Sequence, residues 1–154
     1  MKIIVCKAGR QTERYFKEGV RYFVDNPEAE PYLTFLRKIA RGVSIADAAE
    51  QTIGPIADFS ITFGDPDSGY HYMLRVEAGA VAQEQLISRP ARTTEGHIPH
   101  TIFYRKGEHT TIARAAARDL PTSYSAVPET AFYTEESREF RLFLFDIVWA
   151  SLKD

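Results

Sequence analysis

"ADFSITFGDPDSGYHYMLRVEAG" (residues 57–79) alternates apolar and polar residues in two runs, joined by a loop of Asp, Pro, Ser and Gly. Every second residue puts Phe59, Ile61, Phe63, Tyr70, Tyr72, Leu74 and Val76 on one side. Ser60, Thr62, His71, Met73, Arg75 and Glu77 fall on the other. Successive side chains of a strand point to opposite faces, so the pattern predicts two strands with one covered and one wetted face. In the connection Asp65-Pro66-Asp67-Ser68-Gly69, proline presets the φ of a turn and glycine accepts a positive one, which predicts a hairpin.

Outward from the hairpin, Glu77-Ala78-Gly79 is a tighter reversal into a third strand, 80–87, and the three make an antiparallel meander. Residues 88–100 are polar and broken by Pro and Gly, a long loop, and 100–107 reads as a fourth strand. The Ala-rich segment 108–120 predicts a helix with Ile112, Ala115, Ala116 and Leu120 on one side. A two-proline connection (121–129) leads to an expected fifth strand, 130–136. The last helix, 137–154, is the most emphatic, with Phe140, Phe143, Leu144, Ile147 and Val148 at helical spacing and Leu142, Phe145 and Trp149 widening the stripe. Upstream, 2–6 is short and β-branched, an edge strand or else a disordered leader, with the strand favoured. Helices are expected over 12–27, 30–42 and 44–55; Pro31 suits the first turn of the second, and Ser44 caps the third. Helices grouped apart from an antiparallel sheet of five strands define an α+β fold.

Bulk properties restrict the function classes. With 154 residues the chain has an ordinary single-domain length, enough for a core without metal or disulfide support. Hydrophobic residues at 44% against 26% charged exclude a disordered chain. The 19 basic and 21 acidic residues give a formal charge of −2, and no basic tract provides a footprint for nucleic acid or an anionic membrane. A single cysteine, Cys6, excludes an internal disulfide framework and suits a reducing compartment. The N-terminal apolar run is too short for a secretory segment and no run spans a bilayer, so a cytoplasmic location without stable membrane insertion is expected.

Each buried aromatic ring removes roughly 150–250 Å² from water, so the aromatic face of the hairpin demands a cover. The C-terminal helix supplies one, and its wide stripe leaves a flank for something else. A second helix satisfies that demand, and so does an apolar guest held between sheet and helix.

The segment "ADFSITFGDPDSGYHYMLRVEAGAVAQEQ" (57–85), with its aromatic-rich second strand, the turn glycine Gly79 and a third strand carrying Glu84, resembles the sterol-carrier-protein-2-like family. The strand "TIFYRKG", an Ala-rich helix, a short strand and a terminal helix follow in that family's order. The resemblance covers about residues 30–152 of one domain, with 1–29 as an N-terminal extension and 88–100 as an inserted loop. It implies an apolar cavity between a five-stranded sheet and helices, a fatty acyl, sterol or other hydrophobic ligand, and no shared catalytic set. The lining expected for that cavity is Phe59, Ile61, Phe63, Tyr70, Tyr72, Leu74, Val76, Phe140, Phe143, Leu144 and Ile147.

Motifs for chemistry are sparse. No G-x-S-x-G and no glycine-rich phosphate loop occurs, and Cys6 has no histidine near it in sequence. His97, His100 and His109 cluster with Glu95 and Glu108, but the spacing matches no metal-binding motif, and no metal or cofactor is expected. His71 sits beside Arg75 and Glu77 on the wetted side, where cross-strand ion pairing is expected. Asp58, Asp65 and Tyr70 are possible acid–base groups at a pocket mouth, and Arg89 and Arg92 possible rim contacts for a ligand anion. Three readings stand: a binding module for an apolar small molecule, a small enzyme in the same cavity using His71 or the His97/His100 loop, or a homodimer closed by the surplus apolar face of the last helix.

Overall fold

Cross-strand register follows the alternation of the central hairpin. The computed structural model describes residues 3–8, 14–15, 30–65, 68–89 and 100–153. Its elements are β1 (Ile3–Ala8), β2 (Arg14–Tyr15), α1 (Glu30–Ala40), α2 (Ile45–Gln51), β3 (Asp58–Asp65), β4 (Ser68–Glu77), β5 (Ala80–Arg89), β6 (His100–Lys106), β7 (His109–Ile112), β8 (Arg118–Asp119), α3 (Val127–Thr130) and α4 (Glu135–Lys153). The strands form one antiparallel sheet in the order β2-β1-β3-β4-β5-β6-β7-β8, with two-residue strands at both edges and six longer ones between them.

Directly opposed residues of antiparallel strands share a face, and the register builds rows across the sheet. One runs Ile61–Tyr72–Leu86–Phe103–Ile112, and the next Phe59–Leu74–Glu84–Arg105–Thr110. Every member of both rows is buried. The helices cover this side. Tyr32, Leu33, Phe35, Leu36 and Ile39 of α1, Ile45 and Ala48 of α2, and Phe140 and Leu144 of α4 join the same core. The opposite side carries Arg75, which pairs with Asp58 (4.0 Å) and Glu77 (3.8 Å), and Gln83, which donates to the Tyr104 hydroxyl.

Local chemistry sets the element ends. The Ser44 hydroxyl accepts from the Asp47 amide and caps α2. Gly42, at φ +96°, ends α1 in the left-handed region, and Arg141 of α4 donates to the Ala40 carbonyl at that same helix end (2.8 Å). Ala78 and Gly79, with φ of 52° and 76°, make the two-residue turn between β4 and β5. Two positive φ values are what the twist of such a hairpin requires.

Four expectations need correction. Among the described residues the sheet has six strands of four or more residues and a two-residue strand at each edge, where five strands were expected. Segment 108–120 is not a helix: β7, a turn through Arg114 (φ 61°) and β8 occupy it. Its alanine run is far shorter than the roughly 12–15 residues a helix needs to stand on propensity, and Thr110, Thr111 and Ile112 favour the strand. Segment 130–136 is not a strand: α3 begins with Pro128 in its first turn, and the Thr130 amide bonds back to the Ala126 carbonyl (2.9 Å). Within the expected helix 12–27, Arg14 and Tyr15 pair with β1; the remainder lies outside the described residues, as does most of the 88–100 loop.

Candidate functional site

The expected lining of a sheet–helix cavity turns inward and meets the protein's own rings. Phe35 of α1 lies edge-on to Phe59 at 5.3 Å, Phe59 to Tyr72 at 6.3 Å, and Tyr70 to Phe140 at 5.0 Å. Tyr72 stacks on Phe140 at 6.1 Å. Phe59, Ile61, Tyr72, Leu74, Phe140 and Leu144 are all buried in this packing, and Tyr70 is partly buried at its margin. The side chains of Phe63, Phe143 and Ile147 lie outside the described residues. Of the expected lining, Val76 also borders an open cleft.

Beside the rings lies a polar cluster that the alternation pattern did not single out. Glu84 and Arg105 are opposed on β5 and β6, both completely buried, with Arg105 Nη1 3.5 Å from Glu84 Oε1. Glu84 also accepts from the Tyr72 hydroxyl (2.6 Å), the Ala126 amide (2.7 Å) and the Ser125 hydroxyl. Arg105 spends its other donors on backbone carbonyls: Gly107, Tyr124, Leu120 and Pro121. All five guanidinium N–H groups are thereby used. The pair clamps segment 120–126 onto the sheet, and that segment in turn accepts from Val81 N at Thr122 O (2.8 Å) and from Ile45 N at Ser123 O (2.9 Å). Satisfied on every side, the cluster has no group left to offer a substrate. It ties β5, β6 and segment 120–126 together.

Burial pushes the Tyr72 phenol well above its ordinary value near 10, and the Glu84 charge and hydrogen bond push the same way, with Ser125 and Arg105 opposing. A raised folded-state value means the unfolded chain releases this proton first. The Tyr72 contribution is therefore complete below about pH 10 and is lost as pH climbs beyond it. Tyr72→Phe is expected to cost about 1–3 kcal/mol at neutral pH, from the weakened satisfaction of Glu84. It should also make the alkaline fall in stability shallower by about 1.4 kcal/mol per pH unit. Urea denaturation from neutral pH to above pH 10 measures both; parallel curves for the two proteins would refute the assignment.

Open clefts border the described core away from the ring cluster. The first, about 490 Å³, sits between α2 and the β4–β5 turn, bordered by Ile45, Ala46, Ala49, Ile56 and Val76, with Glu50 as its charged side chain. Its walls are mostly apolar. The second, about 440 Å³, lies over the clamped segment and is edged by Asp119, Tyr124, Ser125, Pro128 and Glu129.

The candidate chemical groups scatter. His100 Nε2 lies 2.6 Å from Glu136 Oε2 and ties β6 to α4, while His109 faces Asp119 at 3.6 Å. His71 lies on the wetted side, opposite Thr62 and Ile87. Asp58 is engaged with Arg75. His97, Glu95 and Arg92, and the side chains of Asp65, Arg89 and Cys6, lie outside the described residues. Among the described residues no three His, Cys, Asp or Glu side chains converge as metal ligands, and no helix is long and apolar enough to cross a membrane. Tyr133 packs its ring against the Arg118 guanidinium at 3.6 Å. No family model, curated protein or solved structure matches the chain.

Proposed function

We propose that this chain is a cytoplasmic binding module for a small apolar molecule, held in the cleft between α2 and the β4–β5 turn. The observation that carries the reading is the cleft itself: about 490 Å³, walled chiefly by Ile45, Ala49, Ile56 and Val76. That volume falls within the roughly 300–1,000 Å³ usual for small-molecule sites, which are largely apolar with few polar groups. The likeness to sterol-carrier-protein-2-like domains supports the ligand class, but the ligand is placed at the end of the sheet rather than under α4. Under α4, the described rings of Phe59, Tyr70, Tyr72 and Phe140 pack on one another.

Ala46 borders the cleft and is exposed, so enlarging it fills the site without disturbing the core. Ala46→Trp is expected to weaken binding of Nile red, a neutral apolar dye, at least several-fold, with the far-ultraviolet circular dichroism unchanged. Equal dye affinity in a folded Ala46→Trp protein would exclude this cleft.

A further inference from the structure

Resting on that reading, we infer that the ligand is an amphiphilic cation, a hydrocarbon body bearing one protonated amine, rather than a fatty acid or a neutral sterol. The cleft is bordered by a single charged side chain, the Glu50 carboxylate, with no Lys, Arg or His among its lining residues. Glu50 sits in the last turn of α2, which carries no basic residue. The C-terminal end of a helix is the negative end of its dipole, so side chain and backbone give the cleft the same sign. A basic residue is the usual complement at that position, and here the cleft leaves room for one to be brought in from outside.

Three donors at this helix end are turned into the helix rather than toward the cleft. The Thr52 hydroxyl donates to the Ala48 carbonyl at 2.6 Å, and the Thr52 and Gly54 amides both donate to the Ala49 carbonyl, at 3.2 and 2.6 Å. The side chains offered to a ligand are a hydrocarbon wall and one anion. An alkylammonium ion meets both demands together: its chain displaces water from Ala46 and Ile56 over the buried Ile45 and Val76, and its head reaches Glu50. A carboxylate head in the same pose would be repelled, and an alcohol would gain no charge contact. Exposure of Glu50 limits the gain, because ion pairs in contact with solvent contribute only about 0.2–1 kcal/mol, a preference of up to roughly fivefold.

Octylamine, octanol and octanoate share one chain length and differ in the head. Titrated at neutral pH and low salt against the full chain with labelled methyl groups, they are read by the shifts of Ile45, Ile56 and Val76. Octylamine is expected to bind about two- to fivefold more tightly than octanol, with octanoate weakest. The amine's advantage should shrink at high salt, which screens an exposed pair. In Glu50→Gln the ratio of amine to alcohol affinity should fall to about one. An amine no better than octanol in the native chain, or an advantage that persists in Glu50→Gln, overturns the cation preference and leaves the apolar site standing. If none of the three compounds moves those methyl signals, the site and the inference fall together.

Discussion

Arg105→Met is expected to destabilise the protein by about 3–5 kcal/mol, a large part of the roughly 5–15 kcal/mol that holds a domain of this kind together. Methionine has comparable length and no donors. Its introduction strands the buried Glu84 carboxylate without its cation and removes the donors from the carbonyls of Gly107, Leu120, Pro121 and Tyr124. Arg105→Lys keeps the charge but offers three donors from one point instead of a planar fork, so it should recover only part of the loss. Equilibrium urea denaturation supplies the size of the effect, and amide exchange supplies its location. Once the clamp is gone, the Val81 and Ile45 amides, which donate to Thr122 and Ser123, should exchange faster than the centre of β4. Glu84→Leu combined with Arg105→Met should cost less than the sum of the two single changes, because neither charge is then left alone. Losses below about 1 kcal/mol with unaltered exchange would show that segment 120–126 is held by something else.

The meander was readable because its phase is repeated and its turns carry strong chemistry. Tyr72 and Leu74 on β4 fall opposite Ile61 and Phe59 on β3, as a period of two requires. The same phase contained the clamp: Glu84 lies in step with Leu86, and Arg105 in step with Phe103, so opposite charges occupy inward positions on neighbouring strands. Which strands are neighbours decides that pairing, and adjacency is a tertiary fact absent from any one segment. A bulge adds to the difficulty. The register shifts between Arg75 and Val76, so Val76 pairs Val81 and the simple alternation of β5 is broken at its start. The segment 108–120 failed for another reason. Three consecutive alanines fit a helical stripe, yet Gly107 at φ +56° has already turned the chain, and β7 continues the sheet. The cleft was not readable, because Ile45, Ile56 and Val76 come together only when α2 folds against the end of the hairpin.

Phe140→Ala should cost about 3–5 kcal/mol, whereas Leu142→Ala, two residues along the same helix, should change stability by no more than about 0.5 kcal/mol. The difference comes from the faces of α4. Phe140 is fully buried between Tyr70 and Tyr72, while Leu142 is 54% exposed. Among the described residues of the helix, Phe140 and Leu144 face the core, and Phe145, on the flank, lies under the guanidinium groups of Arg41 and Arg141. Removing the Phe140 ring opens an apolar hole at the place where the aromatic hairpin invites a guest. Such a hole stays dry and accepts a small apolar molecule, so benzene should restore part of the lost stability of Phe140→Ala and do nothing for the native chain. Should Phe140→Ala lose less than about 1 kcal/mol, or should the native chain itself be stabilised by benzene with shifts at Leu74 and Leu144, the space under α4 is already loosely filled. The ligand would then belong between sheet and terminal helix, and the cleft beside α2 would be a surface feature. A full loss, rescued only in the variant, means that Phe140 itself is the occupant of that space, which leaves the end of the sheet as the place for a ligand.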